Sequence, residues 1–198
     1  NVFGNMGKGG TLNLKGNYLY SERGLPGSVV LYRQEANEWL WDRTGFGSAN
    51  YRNDLSESFS LMANLKYTYN WNRYLTLSDI YITGKDETFY TQNEYYGSVA
   101  GEYRLSDRVK FTLAEDYFIN TLDATLPDFA YPTRYTSLTS VAGQYKDSRL
   151  TLTASLLGTY ITEDVKVGEA ADDKKRLSPS VSVSYKLFED ANFRIRGS

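Results

Sequence analysis

Histidine and cysteine are both absent from this sequence of 198 residues. Without cysteine there is no disulfide, no thiolate nucleophile and no thiolate zinc site. Without histidine the commonest general base and metal ligand is gone, and with it the Ser-His-Asp and Cys-His arrangements of covalent hydrolases. Proline is scarce, at 4 residues. Long apolar runs are lacking too: the longest uncharged stretch near the C-terminal half, 150–162, is too short and too rich in Ser and Thr for a spanning helix. Mean hydropathy is -0.50. Neither sign of charge dominates, since 22 Lys and Arg stand against 24 Asp and Glu for a net charge of -2. No nucleic-acid partner bound through bulk positive charge is expected.

What the chain has is aromatic residues and glycine: 18 Tyr, 9 Phe, 3 Trp and 16 Gly. That composition favours strands. Period-two alternation recurs along the whole chain. Leu12, Leu14, Gly16, Tyr18 and Tyr20 alternate with Thr11, Asn13, Lys15 and Asn17. Phe59, Leu61, Ala63, Leu65, Tyr67, Tyr69 and Trp71 alternate with Ser58, Ser60, Met62, Asn64, Lys66, Thr68 and Asn70. The same parity rule runs through Trp39 to Tyr51, Tyr95 to Leu105, Val109 to Leu113, Leu150 to Tyr160 and Val181 to Leu187. Short polar turns fall around Asn53-Asp54, Ser106-Asp107, Lys146-Asp147 and Glu189-Asp190. Longer segments, 21–37, 72–93, 121–133 and 163–176, alternate with them. The reading is an all-β, antiparallel up-and-down meander of about nine to ten strands, with every long loop at one end. The first strand is the tail 1–5, and Gly7-Lys8-Gly9-Gly10 makes the turn that follows it.

Two environments suit a half-apolar meander. In a soluble barrel the apolar face points inward; in an outer-membrane barrel it points out to lipid. Strand length favours the membrane, because 58–71 exceeds the usual soluble strand of ~5–6 residues and a tilted membrane strand needs ~9–11. Tyr18, Tyr20, Trp39, Trp41, Tyr67, Tyr69 and Trp71 gather toward the long-loop side, where an interfacial girdle would lie. The polar face, with Asn64, Lys66, Thr68 and Asn70 on one strand, is costly in a dry core and cheap in a wet lumen. Against this stands the simpler possibility that the aromatics are cross-strand pairs in a soluble sheet. Glu115 falls on the lipid-facing parity of Phe111 and Leu113, so either interfacial depth or a β-bulge at Glu115-Asp116 is expected.

The stretch Asn17-Tyr18-Leu19-Tyr20-Ser21-Glu22-Arg23-Gly24-Leu25-Pro26-Gly27 resembles a segment of TonB-dependent outer-membrane receptor barrels, where a strand ends in aromatics and a Gly-Leu-Pro-Gly turn opens an extracellular loop. Leu40-Trp41-Asp42-Arg43, Tyr67-Thr68-Tyr69-Asn70-Trp71 and Phe193-Arg194-Ile195-Arg196-Gly197-Ser198 are similar to further parts of the same barrels. The Arg-Gly-Leu-Pro-Gly branch resembles receptors of the cobalamin type. The resemblance implies a bacterial outer-membrane location, a parent barrel of 22 strands blocked by an N-terminal plug, and import of a scarce nutrient energised through TonB. Siderophore-bound iron, cobalamin and glycans are the substrates it implies. Residues 1–198 are then one partial barrel domain with no plug and no TonB box. Asn1 opens the chain without a signal peptide, and Asn192 to Ser198 reads as a strand in progress, so a piece of a longer protein is expected. The implied partners are outer-membrane lipid, a small nutrient ligand, and the TonB complex through the parent's plug.

A small self-contained outer-membrane barrel acting as adhesin or channel, and a soluble β-barrel binding a small apolar ligand, are the alternatives. Catalysis has little to rest on. Asp42, Glu115 with Asp116, and Glu163 with Asp164 offer carboxylates, but no activated pair stands out, so no enzyme, catalytic residue, metal or cofactor is expected. The acidic segment 163–176 has no EF-hand spacing and reads as a solvated loop. Binding belongs on loops held by a rigid scaffold. The candidate substrate contacts are Arg23, Tyr32, Arg33, Tyr90, Asn93 and Tyr131, since aromatics with arginine can stack on a planar or sugar ligand. Tyr81, Lys85, Phe89, Tyr95, Phe129 and Arg134 lie near them.

Overall fold

Alternating side chains make a strand useful only when a neighbour takes up its backbone hydrogen bonds. Here each alternating segment pairs with the next one in sequence. The computed structural model describes residues 1–7, 9–25, 38–77, 84–186 and 194–197. These form β1 (Val2–Met6), β2 (Gly10–Leu25), β3 (Glu38–Asp54), β4 (Phe59–Leu77), β5 (Lys85–Arg104), β6 (Val109–Ala124), β7 (Thr133–Lys146), β8 (Leu150–Asp164), β9 (Lys174–Lys186) and β10 (Arg194–Gly197). They build one ten-stranded sheet in sequential order. Every neighbouring pair is antiparallel. No helix of the structure is long and apolar enough to cross a membrane, among the described residues.

The short turns are held by small polar side chains. Ser56 Oγ accepts from the Ser58 amide, Ser106 Oγ from the Arg108 and Val109 amides, and Asp147 Oδ1 from the Ser148 amide. Each replaces a backbone bond lost where the ladder ends. The turn before β2 uses Gly9 at φ 82°, a conformation that penalises any Cβ. The turn expected at Glu189-Asp190 lies outside the described residues.

At the other end the strands run further than the alternation suggested. Residues 21–25, 72–77, 85–93, 121–124 and 174–176 are strand rather than loop. β4 and β5 reach 19 and 20 residues. The physical reason is that a backbone ladder needs no apolar side chains. Above the apolar band it is carried by polar partners, such as Arg73 with Glu87 and Arg23 with Asp42.

Because antiparallel partners point to the same side of the sheet, the register sorts residues onto two faces. One face carries Leu14, Ala49, Leu65, Gly97 and Tyr117 on one row, and Leu61, Gly101, Leu113, Val141 and Leu156 on another. The opposite face carries Asn13, Asn50, Asn64, Ser98 and Asp116, and above them Asn17, Thr68, Glu94, Asn120, Arg134 and Glu163. Neither face has a covering layer among the described residues. Leu65 is 65% exposed, Leu113 59% and Phe111 49%, and among the described residues no large side chain is fully buried.

Pairing is continuous through Glu115, which sits opposite Val99 and Thr139, so the expected bulge is absent. Glu115 instead stands on the apolar face two residues below Tyr117 and four above Phe111, nearer the aromatic row at the long-loop end. Its two carboxylate oxygens accept hydrogen bonds from the Ser137 and Thr139 hydroxyls of β7. These bonds supply what water would otherwise give a carboxylate on that face. Removing both hydroxyls (Ser137→Ala with Thr139→Ala) is expected to destabilise the intact protein by about 1–3 kcal/mol, the cost of an unsatisfied polar group. Adding Glu115→Gln should recover part of that loss in a denaturant-unfolding measurement. If the double variant unfolds with wild-type stability, the hydroxyls do not solvate Glu115.

Candidate functional site

The polar face is a wall of cross-strand hydrogen bonds and ion pairs. Asn64 Nδ2 donates to Ser98 Oγ at 2.9 Å, and Tyr96 donates its hydroxyl to Asp116 while its ring lies 4.7 Å from that of Phe118. Lys66 and Glu94 are 3.5 Å apart, and Lys110 and Glu102 2.9 Å. Arg134 donates from Nε and Nη2 to one oxygen of Glu163, at 3.0 and 2.7 Å. Nearly every charge named here has an opposite partner, so the wall is polar without a strong field of one sign.

Toward the long-loop end this face gathers a cluster. Arg23 Nη2 lies 3.1 Å from Asp42 Oδ2, while Asp42 Oδ1 accepts from Asn72 Nδ2 at 3.2 Å. Tyr90 is the register partner of Asn72, which is in turn that of Asp42. The arrangement arises because β2 to β5 continue beyond the apolar band. It lines up a guanidinium, a carboxylate, an amide and a phenol on one face, across β2 to β5. Arg23 keeps 58% of its side chain accessible.

Of the expected contacts, Arg23 and Tyr90 therefore lie on the same face at the same end of the sheet, three strands apart, on strands rather than in loops. Asn93 does not join them. It lies on the apolar face, where Tyr67 donates its hydroxyl to Asn93 Oδ1 at 2.7 Å and Asn93 Nδ2 donates to Thr121 Oγ1 at 3.3 Å. Tyr131 stands in the loop before β7 with φ 49°, its ring edge-on to Phe129 at 5.2 Å and under Lys166 Nζ at 5.3 Å. That loop meets the one after β8 where the Lys166 amide donates to the Ala130 carbonyl at 2.9 Å. Tyr32, Arg33 and Tyr81 lie outside the described residues. Asp42 and Asn72 were missed as members of the cluster, because their signal is the register and not a motif.

The expected girdle aromatics Tyr18, Tyr20, Trp39, Trp41, Tyr67, Tyr69 and Trp71 share the apolar face. Trp39 and Trp41 stack at 6.1 Å, and the Tyr67 and Tyr95 rings meet tilted at 5.0 Å. The register brings two arginines among them. Arg43 lies 4.6 Å over Trp71 and 5.7 Å over Tyr20, and Arg73 lies 4.4 Å over Trp41 and 5.8 Å over Phe89.

The carboxylate pairs considered for catalysis are dispersed. Glu115 and Asp116 face opposite sides of the sheet, as do Glu163 and Asp164, because neighbours in a strand alternate. In the loop before β9, hydrogen bonds from Thr162 and Tyr160 hold Asp173 below the usual carboxylate range. Among the described residues no three acidic groups converge on a point that would hold a metal.

A long-stranded meander with one exposed apolar face, an aromatic band and a polar opposite wall is the architecture of an outer-membrane barrel. Comparison with solved structures agrees. The chain superimposes on the FrpB iron transporter from Neisseria meningitidis (F3-3 variant) with a TM-score of 0.70 at 13% identity, covering 91% of this chain and 33% of that one. The F5-1 variant gives 0.66 at 14% identity, with 91% and 32% covered. The siderophore receptor PiuA from Acinetobacter baumannii gives 0.61 at 10% identity, with 91% and 38% covered. The chain thus spans about a third of the length of these structures. No protein-family model and no curated protein matches the sequence. The fold is that of a section of the barrels of these structures. In an outer-membrane barrel the apolar face would be the outer one and the polar wall would line the lumen.

Proposed function

We propose that this chain is part of a TonB-dependent receptor of the bacterial outer membrane, importing a scarce nutrient through a plugged barrel. The observation that carries the reading is the division of the sheet into an exposed apolar outer face and an ion-paired polar wall, in a fold shared with an iron transporter and a siderophore receptor. A polar wall of neutralised pairs suits contact with a polar plug and a hydrated ligand path. In this reading the cluster of Arg23, Asp42, Asn72 and Tyr90 meets the nutrient at the extracellular mouth. Iron chelates are the first substrates to test, because the structural neighbours include an iron transporter and a siderophore receptor. Cobalamin follows, on the resemblance of the segment around Gly24.

The test is nutrient uptake by cells carrying the full-length protein, with TonB present or deleted. Uptake of one such nutrient is expected to need both the protein and TonB. Uptake that survives loss of TonB would favour the alternative of a passive channel.

A further inference from the structure

The apolar face of β6 to β9 carries one carboxylate and one ammonium on opposite sides of the line between β7 and β8. Glu115 on β6, Thr139 on β7, Gly158 on β8 and Leu177 on β9 form one register row. Lys175 stands on the same face of β9, one outward position nearer the long-loop end, opposite Tyr160. Glu115 accepts hydrogen bonds from the Ser137 and Thr139 hydroxyls and meets no cation among the described residues. The Lys175 ammonium lies 5.2 Å from the centre of the Tyr160 ring and forms no salt bridge among the described residues. Asp173 acts on it only from beyond contact distance. Three strand spacings, about 15 Å, separate the two charges, too far to pair within one chain. The relief of the face is uneven. Leu177 is a knob, 71% exposed. A trough of about 640 Å3 lies beside Glu115, with Val99, Phe111, Leu113 and Val141 among its lining residues. Between knob and trough the strip is low, because Ser137, Thr139 and Gly158 carry short side chains or none.

We propose that this face joins two copies of the chain about a two-fold axis passing between β7 and β8. The proposal rests on the membrane reading given above, in which both copies enter the bilayer the same way up and the axis follows the membrane normal. Such an axis makes the contact self-complementary and exchanges the two ends of the register row. Leu177 of the partner subunit enters the trough beside Glu115. Lys175 of the partner subunit, two residues along the same strand, extends its flexible stem to the Glu115 carboxylate. Both contacts recur on the other side of the axis. Charge complementarity selects a second copy as the occupant: each chain brings the cation that the other chain's carboxylate lacks, on the side the symmetry requires. Convex barrels touch along a narrow strip, and the low strip of Ser137, Thr139 and Gly158 is where their backbones approach.

The test uses the full-length protein, carrying one dye per chain, in phospholipid vesicles at increasing lipid dilution, with chains per spot counted by single-molecule photobleaching. Wild type is expected to bleach in two steps. Lys175→Glu, at an exposed position that leaves the surroundings of Glu115 intact, should weaken dimerisation about tenfold, since two like-charge pairs replace two ion pairs. Glu115→Lys should weaken it similarly. The two changes together restore each pair with its signs exchanged and should recover most of the dimer. Arg176→Glu reverses the neighbouring charge on the opposite face of β9 and should dimerise as wild type. Unchanged dimers in Lys175→Glu, equal loss in Arg176→Glu, more than two steps in wild type, or no recovery in a double variant that enters the bilayer would each overturn the proposal. Wild type that enters the bilayer and stays single at every dilution overturns this interface alone; protein that does not enter overturns the membrane reading beneath it.

Discussion

Leu113→Arg is expected to destabilise the full-length barrel by about 2–4 kcal/mol in lipid, the cost of a cation on the lipid face near mid-bilayer. Thr112→Arg, one residue away, should cost less than about 1 kcal/mol, in the range of ordinary exposed substitutions. The contrast follows from the pleat. Leu113 shares its outward row with Gly101 and Val141 and is 59% exposed. Thr112 faces inward opposite Glu102, so a new arginine there meets water and a carboxylate. Folding into phospholipid vesicles, followed against urea, measures both. Equal penalties at the two positions would mean that the faces are assigned the wrong way or that neither meets lipid.

Ligand recognition divides the expected contacts in the same manner. Arg23→Ala and Tyr90→Ala are each expected to weaken nutrient binding by the full-length protein about tenfold, a loss usual for an anchoring arginine or tyrosine. Asn93→Ala should leave it unchanged. Arg23 and Tyr90 share the lumen-side cluster with Asp42 and Asn72. Asn93 is instead engaged with Tyr67 and Thr121 on the outer face. Equilibrium binding of the radiolabelled nutrient decides it: wild-type affinity in Arg23→Ala and Tyr90→Ala removes the cluster from the binding site.

The reach of the sequence is clearest at the strands and weakest at the loops. Phe59 to Trp71 announce a strand because one face must be apolar and the other wet, and that demand is written at every second residue. The same parity separates Glu115 from Asp116 without any structure. Beyond the apolar band the rule falls silent. Residues 72–77 and 85–93 read as loop by hydropathy, yet they pair as β4 and β5. Their strand character comes from the partner strand, through backbone bonds and pairs such as Arg73 with Glu87.

Composition and alternation by themselves determined the fold class, an all-β antiparallel meander. No histidine and no cysteine, abundant tyrosine, and long half-apolar strands joined by short and long connections leave few folds, because those demands are local and repeat along the chain. The tertiary structure alone decided which residues meet. Register set Arg23 beside Asp42, Arg43 on Trp71, and Glu115 under the hydroxyls of Ser137 and Thr139. A meander's sequence fixes the order of its strands but not their offset, and an offset of two residues preserves every face while changing every neighbour. That is why the fold was legible and the site was not.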